Sequence, residues 1–438
     1  MKRRLLWISE HASPLAPLGG ADAGGQNVYV AQVARCLAGL GHQVDVLTRR
    51  DHPDQPAIAR LAEGARVIHV PAGPAEPLRK EALLPHMDEF SAFALRWLGR
   101  RRARPYDLVH ANFFMSAMVA AEIKRALGVP FIVTFHALGR VRRLHQGGAD
   151  AFPDERLDIE DRAVAEADRI IAECPQDRRD LIEHYRADSR KIRTIPCGFD
   201  PSEFGPMDQR EARRRLGLPI EGPIILQLGR MVPHKGVDNV IRAVGRLRTS
   251  RGIAARLLIV GGESREPDPA ITPEIGRLQS IARDEGAADL VTFVGARERH
   301  ELQPYYCAAD VFVSTPWYEP FGITPLESMA CGTPVIGSNV GGIKSTVVDG
   351  ETGFLTPPND PEALADRLSL VLSDQATRLD MGRRAIRRVN AHYTWRSVAR
   401  MIANLYHDAL GDRPTAARAV AGLPASSTAA KILARSDV

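Results

Sequence analysis

At 438 residues, 44% hydrophobic and 25% charged, the chain is too long for one ordinary core and too apolar to stay disordered. Its 58 basic and 53 acidic side chains leave a net charge of +5, too even for a nucleic-acid binder but suited to anionic small ligands. Five dispersed cysteines (Cys36, Cys174, Cys197, Cys307 and Cys331) lack metal-ligand spacing, so we expect reduced thiols in a cytoplasmic protein and no metal site.

The basic start Met1-Lys2-Arg3-Arg4 is followed by only four apolar residues, Leu5-Leu6-Trp7-Ile8, which read as a buried strand and not as a secretory leader. No apolar run approaches bilayer-spanning length. A glycine-rich loop, residues 19–25, precedes a helical pattern through Val28, Val33, Leu37 and Leu40, and residues 43–48 form the next strand. This β–loop–α–β order is nucleotide-binding architecture in outline, but without GxGxxG it does not predict a dinucleotide site. Gly24-Gly25 either lets a ligand approach the backbone or is a plain turn.

Further strands are expected at 67–70, 108–110, 131–135, 169–172 and 192–195, with helices near 86–99, 115–127, 156–167 and 175–187. The alternation predicts a parallel sheet covered on both faces, with ligands at the carboxyl ends of its strands. His136 falls at that edge. Residues 93–104 are basic with apolar residues interspersed, which fits a solvated helix end or a peripheral contact with anionic membrane.

Pro201, Pro206 and Pro219 interrupt the pattern, so residues 1–197 are expected to form the first domain and 198–222 a linker. Strands at 224–228, 257–260, 291–294, 311–313 and 334–337 then build a second α/β domain, 223–394. A helix at 395–410 carries an apolar stripe, and the Ala-rich remainder, 411–438, reads as a disordered tail.

Chemistry concentrates in Glu319-Pro-Phe-Gly322-Ile323-Thr324-Pro-Leu-Glu327, which follows a strand and opens a helix. Thr324 occupies an expected N-cap, so free N–H groups of Gly322, Ile323 and Thr324 would face an anion. The same Thr324-Pro-Leu-Glu327 is equally a capping box in which Glu327 only returns a hydrogen bond. Upstream, Gly229-Arg230…Lys235-Gly236 offers a planar fork and a point charge to a diphosphate. No Asp-x-Asp pair is present to hold a metal, so protein cations would stabilise the departing charge.

Gly24-Gly25, Gly229-Arg230…Lys235-Gly236 and Glu319-Pro-Phe-Gly…Glu327 together resemble the retaining glycosyltransferases of family 4 over about residues 1–410. The resemblance implies the GT-B fold, two Rossmann-like domains facing a cleft, with the 395–410 helix crossing back to the first. It also implies donor contacts from Gly25, Arg230, Lys235, Arg297, Gly322, Ile323, Thr324 and Glu327, with His136 and Glu319 at the sugar. Asp22-Ala-Gly-Gly-Gln26-Asn27, Lys80-Glu81 and His136-Ala-Leu-Gly-Arg140 are similar to sucrose-phosphate synthases and inositol-phosphate N-acetylglucosaminyltransferases. That likeness implies acceptor contacts from Gln26, Asn27, Lys80, Arg140, Arg143 and Arg156. Phe113 and Ala137 stand where the second group has a tyrosine and a threonine.

The expected activity is metal-independent transfer, with retention, of a hexosyl group from a nucleotide sugar, UDP-linked by preference, to a sugar, sugar-phosphate or polyol-phosphate. No cofactor beyond the nucleotide sugar and no nucleic-acid partner is expected. A lipid-linked acceptor and a nucleotide-sugar epimerase of the same fold are the alternatives.

Overall fold

The computed structural model describes residues 2–16, 24–99 and 106–411, which two sheets organise. The first contains β1 (Arg4–Ile8), β2 (Gln43–Arg49), β3 (Ile58–Ala62), β4 (Ala65–Val70), β5 (Leu108–Asn112), β6 (Phe131–Thr134), β7 (Arg169–Ala172) and β8 (Ile192–Thr194), ordered β3-β4-β2-β1-β5-β6-β7-β8. The second contains β9 (Ile224–Leu228), β10 (Arg256–Val260), β11 (Val291–Gly295), β12 (Val311–Ser314), β13 (Val335–Ser338) and β14 (Gly353–Thr356), ordered β11-β10-β9-β12-β13-β14. Every pairing is parallel except β3 against β4.

The central strands are apolar throughout because helices cover both sheet faces. Leu5, Leu6, Trp7 and Ile8 are buried without a break, as are Val311, Phe312 and Val313. Strand order reverses between β1 and β5 in the first sheet and between β9 and β12 in the second. Chain leaving two strands that diverge in this way opens a crevice at their carboxyl ends. The Gly24-Gly25 turn, Phe113, the Gly229–Lys235 loop and the loop from Thr315 to Gly322 all follow these four strands. Topology therefore collects the expected motifs before any side chain is considered.

Three of the unforeseen elements carry weak sequence signals. Strand β3 is a short, largely exposed antiparallel edge, and β14 is four residues beginning with glycine, so neither carries a strong apolar pattern. The helix Gly139–Gln146 has a single buried residue, Gly139.

The 198–222 segment is more than a passive connection. It contains the helix Gln209–Arg215, capped by Asp208, and buries Phe199 and Phe204. Within it Arg213 reaches Asp310 at 2.9 Å, an ion pair almost wholly shielded from solvent.

The last described helix, Trp395–Leu410, crosses back onto the first sheet, where Tyr406 Oη lies 2.6 Å from His110 Nδ1 and the Trp395 ring 5.9 Å from Tyr29. All five cysteines are free. Of the basic run 93–104, residues 100–104 lie outside the described residues, as does the tail beyond Gly411. Within the described part Phe93 stacks on Trp97, whose Nε1 donates to Tyr106 Oη at 3.0 Å, so both rings pack inward. Among the described residues no helix is long and apolar enough to cross a membrane.

Candidate active site

Two adjoining cavities, of about 200 and 210 Å³, lie in the crevice between the sheets. Gly25, Arg230, Lys235, Glu319, Gly322 and Ile323 line both. Arg297, Thr324 and Glu327 face only the second, on the side of the β9 and β10 strand ends, while Gln26, Asn27, Lys80 and His136 face only the first. A Cβ on Gly25 would come within 3.5 Å of Ile323, and one on Gly24 within 3.8 Å of Arg230, so this turn lies at van der Waals distance from the opposite domain.

The helix Ile323–Ala330 starts two residues earlier than its sequence suggests. Gly322 is the N-cap, with φ of 89°, and Thr324 lies inside the first turn. Side-chain capping by Thr324 is therefore absent, and the capping-box reading of Glu327 falls. Its Oε1 instead receives Arg299 Nη1 at 2.7 Å and its Oε2 receives Tyr306 Oη at 2.9 Å. A positive φ at the cap suits only glycine comfortably, and it turns the first N–H groups toward the cleft.

The loops carrying Lys235 and Glu319 are stitched together. The N–H of Trp317 donates to the His234 carbonyl at 2.9 Å, and Thr315 Oγ1 to the Gly236 carbonyl at 2.9 Å. This brings Lys235 Nζ into an ion pair with Glu319. Beneath, Gly342 donates its N–H to the Glu319 carbonyl at 3.2 Å. A Cβ on Gly341, whose φ is 46°, would fall 1.7 Å from that same oxygen. No other residue fits there, so the Gly341-Gly342 pair sets the height of Glu319. Arg230, by contrast, has no hydrogen-bond or ion-pair partner among the described residues.

His136 sits at the end of β6 with φ of 58°, a conformation that costs a non-glycine residue roughly 1–3 kcal/mol. Its side chain is clamped: Nδ1 lies 3.1 Å from Glu173 Oε1, and Nε2 3.2 Å from Asn112 Oδ1. Asn112 donates its amide to the Ile8 carbonyl, which fixes that oxygen toward the ring. Both ring nitrogens are thus engaged by fixed side chains, which hold the ring in one orientation. Burial pushes the Glu173 carboxyl up, but His136 beside it and hydrogen bonds from His136 and Cys197 bring it below its ordinary value.

The first cavity is strongly positive. His234 is driven down to about 2, first by burial and then by Lys235, Arg230, Arg142 and Lys80, so it is neutral at physiological pH. Of the arginines expected here, three are elsewhere. Arg140 grips Asp161 at 2.6 and 2.7 Å, and Arg143 reaches Asp154 at 2.6 Å. Arg156 is 1% exposed, donates to Glu160 and the Ala137 carbonyl, and lies within 4.9 Å of the rings of Phe113, Phe114 and Phe152. Arg142, whose Nε also donates to Asp150 at 2.6 Å, takes their place on the cavity wall. The helix register explains the exchange: Arg140 and Arg143, three apart, turn to Asp161 and Asp154, whereas Arg142 and Gln146, four apart, lie on the cleft side, Gln146 donating to Tyr318 Oη. Asn27, also an expected contact, is 4% exposed and accepts from the Gly24 N–H at 2.9 Å, so it shapes the turn as well as lining the cavity.

Arg142, His234, Arg299 and the Gly341-Gly342 pair escaped the sequence. Only an alternating helix register for 139–146 could have signalled the first. Among the described residues no cluster of three or more His, Cys, Asp or Glu side chains could hold a metal ion.

Two parallel-sheet domains with a cation-lined crevice between them define a GT-B glycosyltransferase. Residues 23–203 match the family described as Glycosyltransferase Family 4, and residues 208–388 match Glycosyl transferases group 1. The chain is 39% identical to a D-inositol 3-phosphate glycosyltransferase from Acidothermus cellulolyticus over 95% of its own length and 92% of that protein's. It is also 35% identical to one from Corynebacterium glutamicum, over 93% and 97%. Among solved structures, sucrose-phosphate synthase from Thermosynechococcus elongatus superposes with a TM-score of 0.84 at 32% identity, covering 93% of this chain and 99% of that one. Anabaena HepE, solved with UDP and glucose, shares the fold at a TM-score of 0.71 and 19% identity, covering 93% and 100%. The chain belongs to glycosyltransferase family 4, within the group 1 glycosyltransferases, and is a transferase.

Proposed function

We propose that the protein moves a hexosyl group, with retention, from a UDP-sugar to a hydroxyl of a phosphorylated sugar or polyol, without a metal ion. The observation that carries this reading is the convergence of unpartnered Arg230, Lys235 and the Gly322-capped helix start on one crevice. Fixed donors aimed at a departing diphosphate stabilise the transition state more than the ground state. The UDP-bound HepE structure supports the choice of donor, and relatives named for D-inositol 3-phosphate and sucrose phosphate support a phosphorylated acceptor.

The anomeric carbon–phosphate oxygen bond breaks as a bond to the acceptor oxygen forms on the same face. The acceptor's proton passes to the departing phosphate oxygen, while His136, its ring nitrogens engaged by Glu173 and Asn112, positions the sugar. Arg230 and Lys235 take the diphosphate charge, and Glu319, released from Lys235, holds sugar hydroxyls. Lys80 and Arg142 serve the acceptor phosphate on the opposite wall.

With UDP-glucose as donor, D-inositol 3-phosphate and a set of hexose phosphates should be glycosylated faster than their unphosphorylated forms. Arg142→Ala should raise the acceptor KM by roughly tenfold or more, the scale of one charge-assisted hydrogen bond, and leave UDP affinity unchanged. Arg140→Ala, whose guanidinium serves Asp161, should alter neither. Equal rates with and without the acceptor phosphate would refute the acceptor class.

A further inference from the structure

Behind the second cavity lies a charge cluster the proposed transfer does not by itself require. Arg299, in the short turn after β11, projects into the crevice wall and is largely buried. Its Nη1 holds Glu327, its Nε pairs with Glu203, and its guanidinium carbon lies 4.7 Å over the Phe204 ring. Burial disfavours its charge, yet Glu327 and Glu203 more than compensate and the guanidinium is held above its ordinary value. Glu203 in turn accepts from Gln32 Nε2, at 3.3 Å, on the first domain's helix Gly25–Gly39. One side chain thus ties a cleft carboxylate to the interdomain segment and, through it, to the other sheet.

Stability alone does not account for this arrangement. Arg299 Nη2 is buried with no partner among the described residues, an omission that ordinarily costs about 1–3 kcal/mol. Glu327 is 1% exposed, and a buried ion pair is weak stabilisation compared with apolar packing. Two carboxylates share one guanidinium, so the cluster keeps surplus acceptor capacity, and Glu327 lines the donor cavity. A carboxylate that takes hydrogen bonds from Arg299 and Tyr306 presents acceptor oxygens. The ligand group it selects is therefore a hydroxyl donor such as a ribose.

We propose that Arg299 is a positioning residue for nucleotide recognition: it orients the Glu327 carboxylate toward the ribose hydroxyls of the donor and ties that orientation to the interdomain segment through Glu203. The inference rests on the cavity being the nucleotide-sugar seat. If a ribose hydroxyl meets Glu327, removing that hydroxyl and removing Arg299 should cost the same interaction and should not add.

The test is calorimetric titration of the full chain and its Arg299→Met variant with UDP and with 2′-deoxy-UDP. The unaltered protein should prefer UDP by roughly tenfold or more. In Arg299→Met, UDP affinity should fall about as far while 2′-deoxy-UDP affinity stays within about twofold, so the preference collapses. Arg299→Lys, which keeps the charge but not the fork, should show an intermediate preference and supplies the test if the methionine variant does not fold. Equal weakening of both ligands, or an undiminished preference in either variant, overturns the proposal. Glu327→Gln separates the two levels of the argument. If it erases the preference and the Arg299 variants do not, only the role of Arg299 falls. If the unaltered protein itself fails to distinguish the two ligands, the nucleotide seat falls with it.

Discussion

Replacing Glu319 by alanine is expected to lower transfer turnover by roughly a hundred- to a thousand-fold while UDP remains bound. The carboxylate occupies the point where both cavities meet, is held at a fixed height by the Gly341-Gly342 backbone, and pairs with Lys235. A nucleotide sugar would compete for Lys235 with its diphosphate, freeing Glu319 for the sugar. Removing Glu319 therefore takes nothing from the diphosphate seat and leaves Lys235 wholly available to it. UDP affinity in Glu319→Ala should equal or exceed that of the unaltered protein, and calorimetry beside steady-state turnover separates the two effects. Unchanged turnover would remove Glu319 from the mechanism.

Arg230→Ala is the second large effect expected, and it runs the other way. A charge-assisted contact to phosphate is worth about 1.5–3 kcal/mol, so UDP affinity should fall roughly ten- to a hundred-fold. Because Arg230 makes no hydrogen bond or ion pair with the described protein, the variant should unfold at the same temperature as the parent in the absence of nucleotide. UDP should then raise that temperature less in the variant than in the parent. An unaltered UDP affinity would sink the diphosphate assignment.

The fold was legible because its signal is global. Continuous apolar strands alternating with helices leave few arrangements open, and the motifs at 24–25, 229–236 and 319–327 all fall where strand order reverses. Strand β3 and strand β14 were hidden because short edges bury little and so carry little pattern. The helix start at Gly322 was misread by two residues, since Thr-Pro-x-Glu has the composition of a cap while only glycine comfortably adopts the φ found there.

On the acceptor wall, residue type was informative and register was not. Four arginines lie within residues 140–156, and the one that reaches the cleft is decided by packing of the Gly139–Gln146 helix against its acidic neighbour. Phe113, Phe114 and Phe152 enclose Arg156 because a guanidinium face stacks favourably on aromatic rings, an association scattered across forty residues of chain and visible only in three dimensions. Arg299 was equally hidden: charged residues in a turn are usually solvated, and nothing local announces Glu327 as its partner.

The claim on which the others depend is that protein cations and a helix end, unaided by a metal, seat the donor diphosphate. Calorimetric titration of the chelator-treated protein with UDP and with uridine tests it most directly. The account predicts that UDP binds as tightly in excess EDTA as in magnesium, and far more tightly than uridine. Loss of UDP binding on chelation, or equal affinity for uridine and UDP, would contradict it.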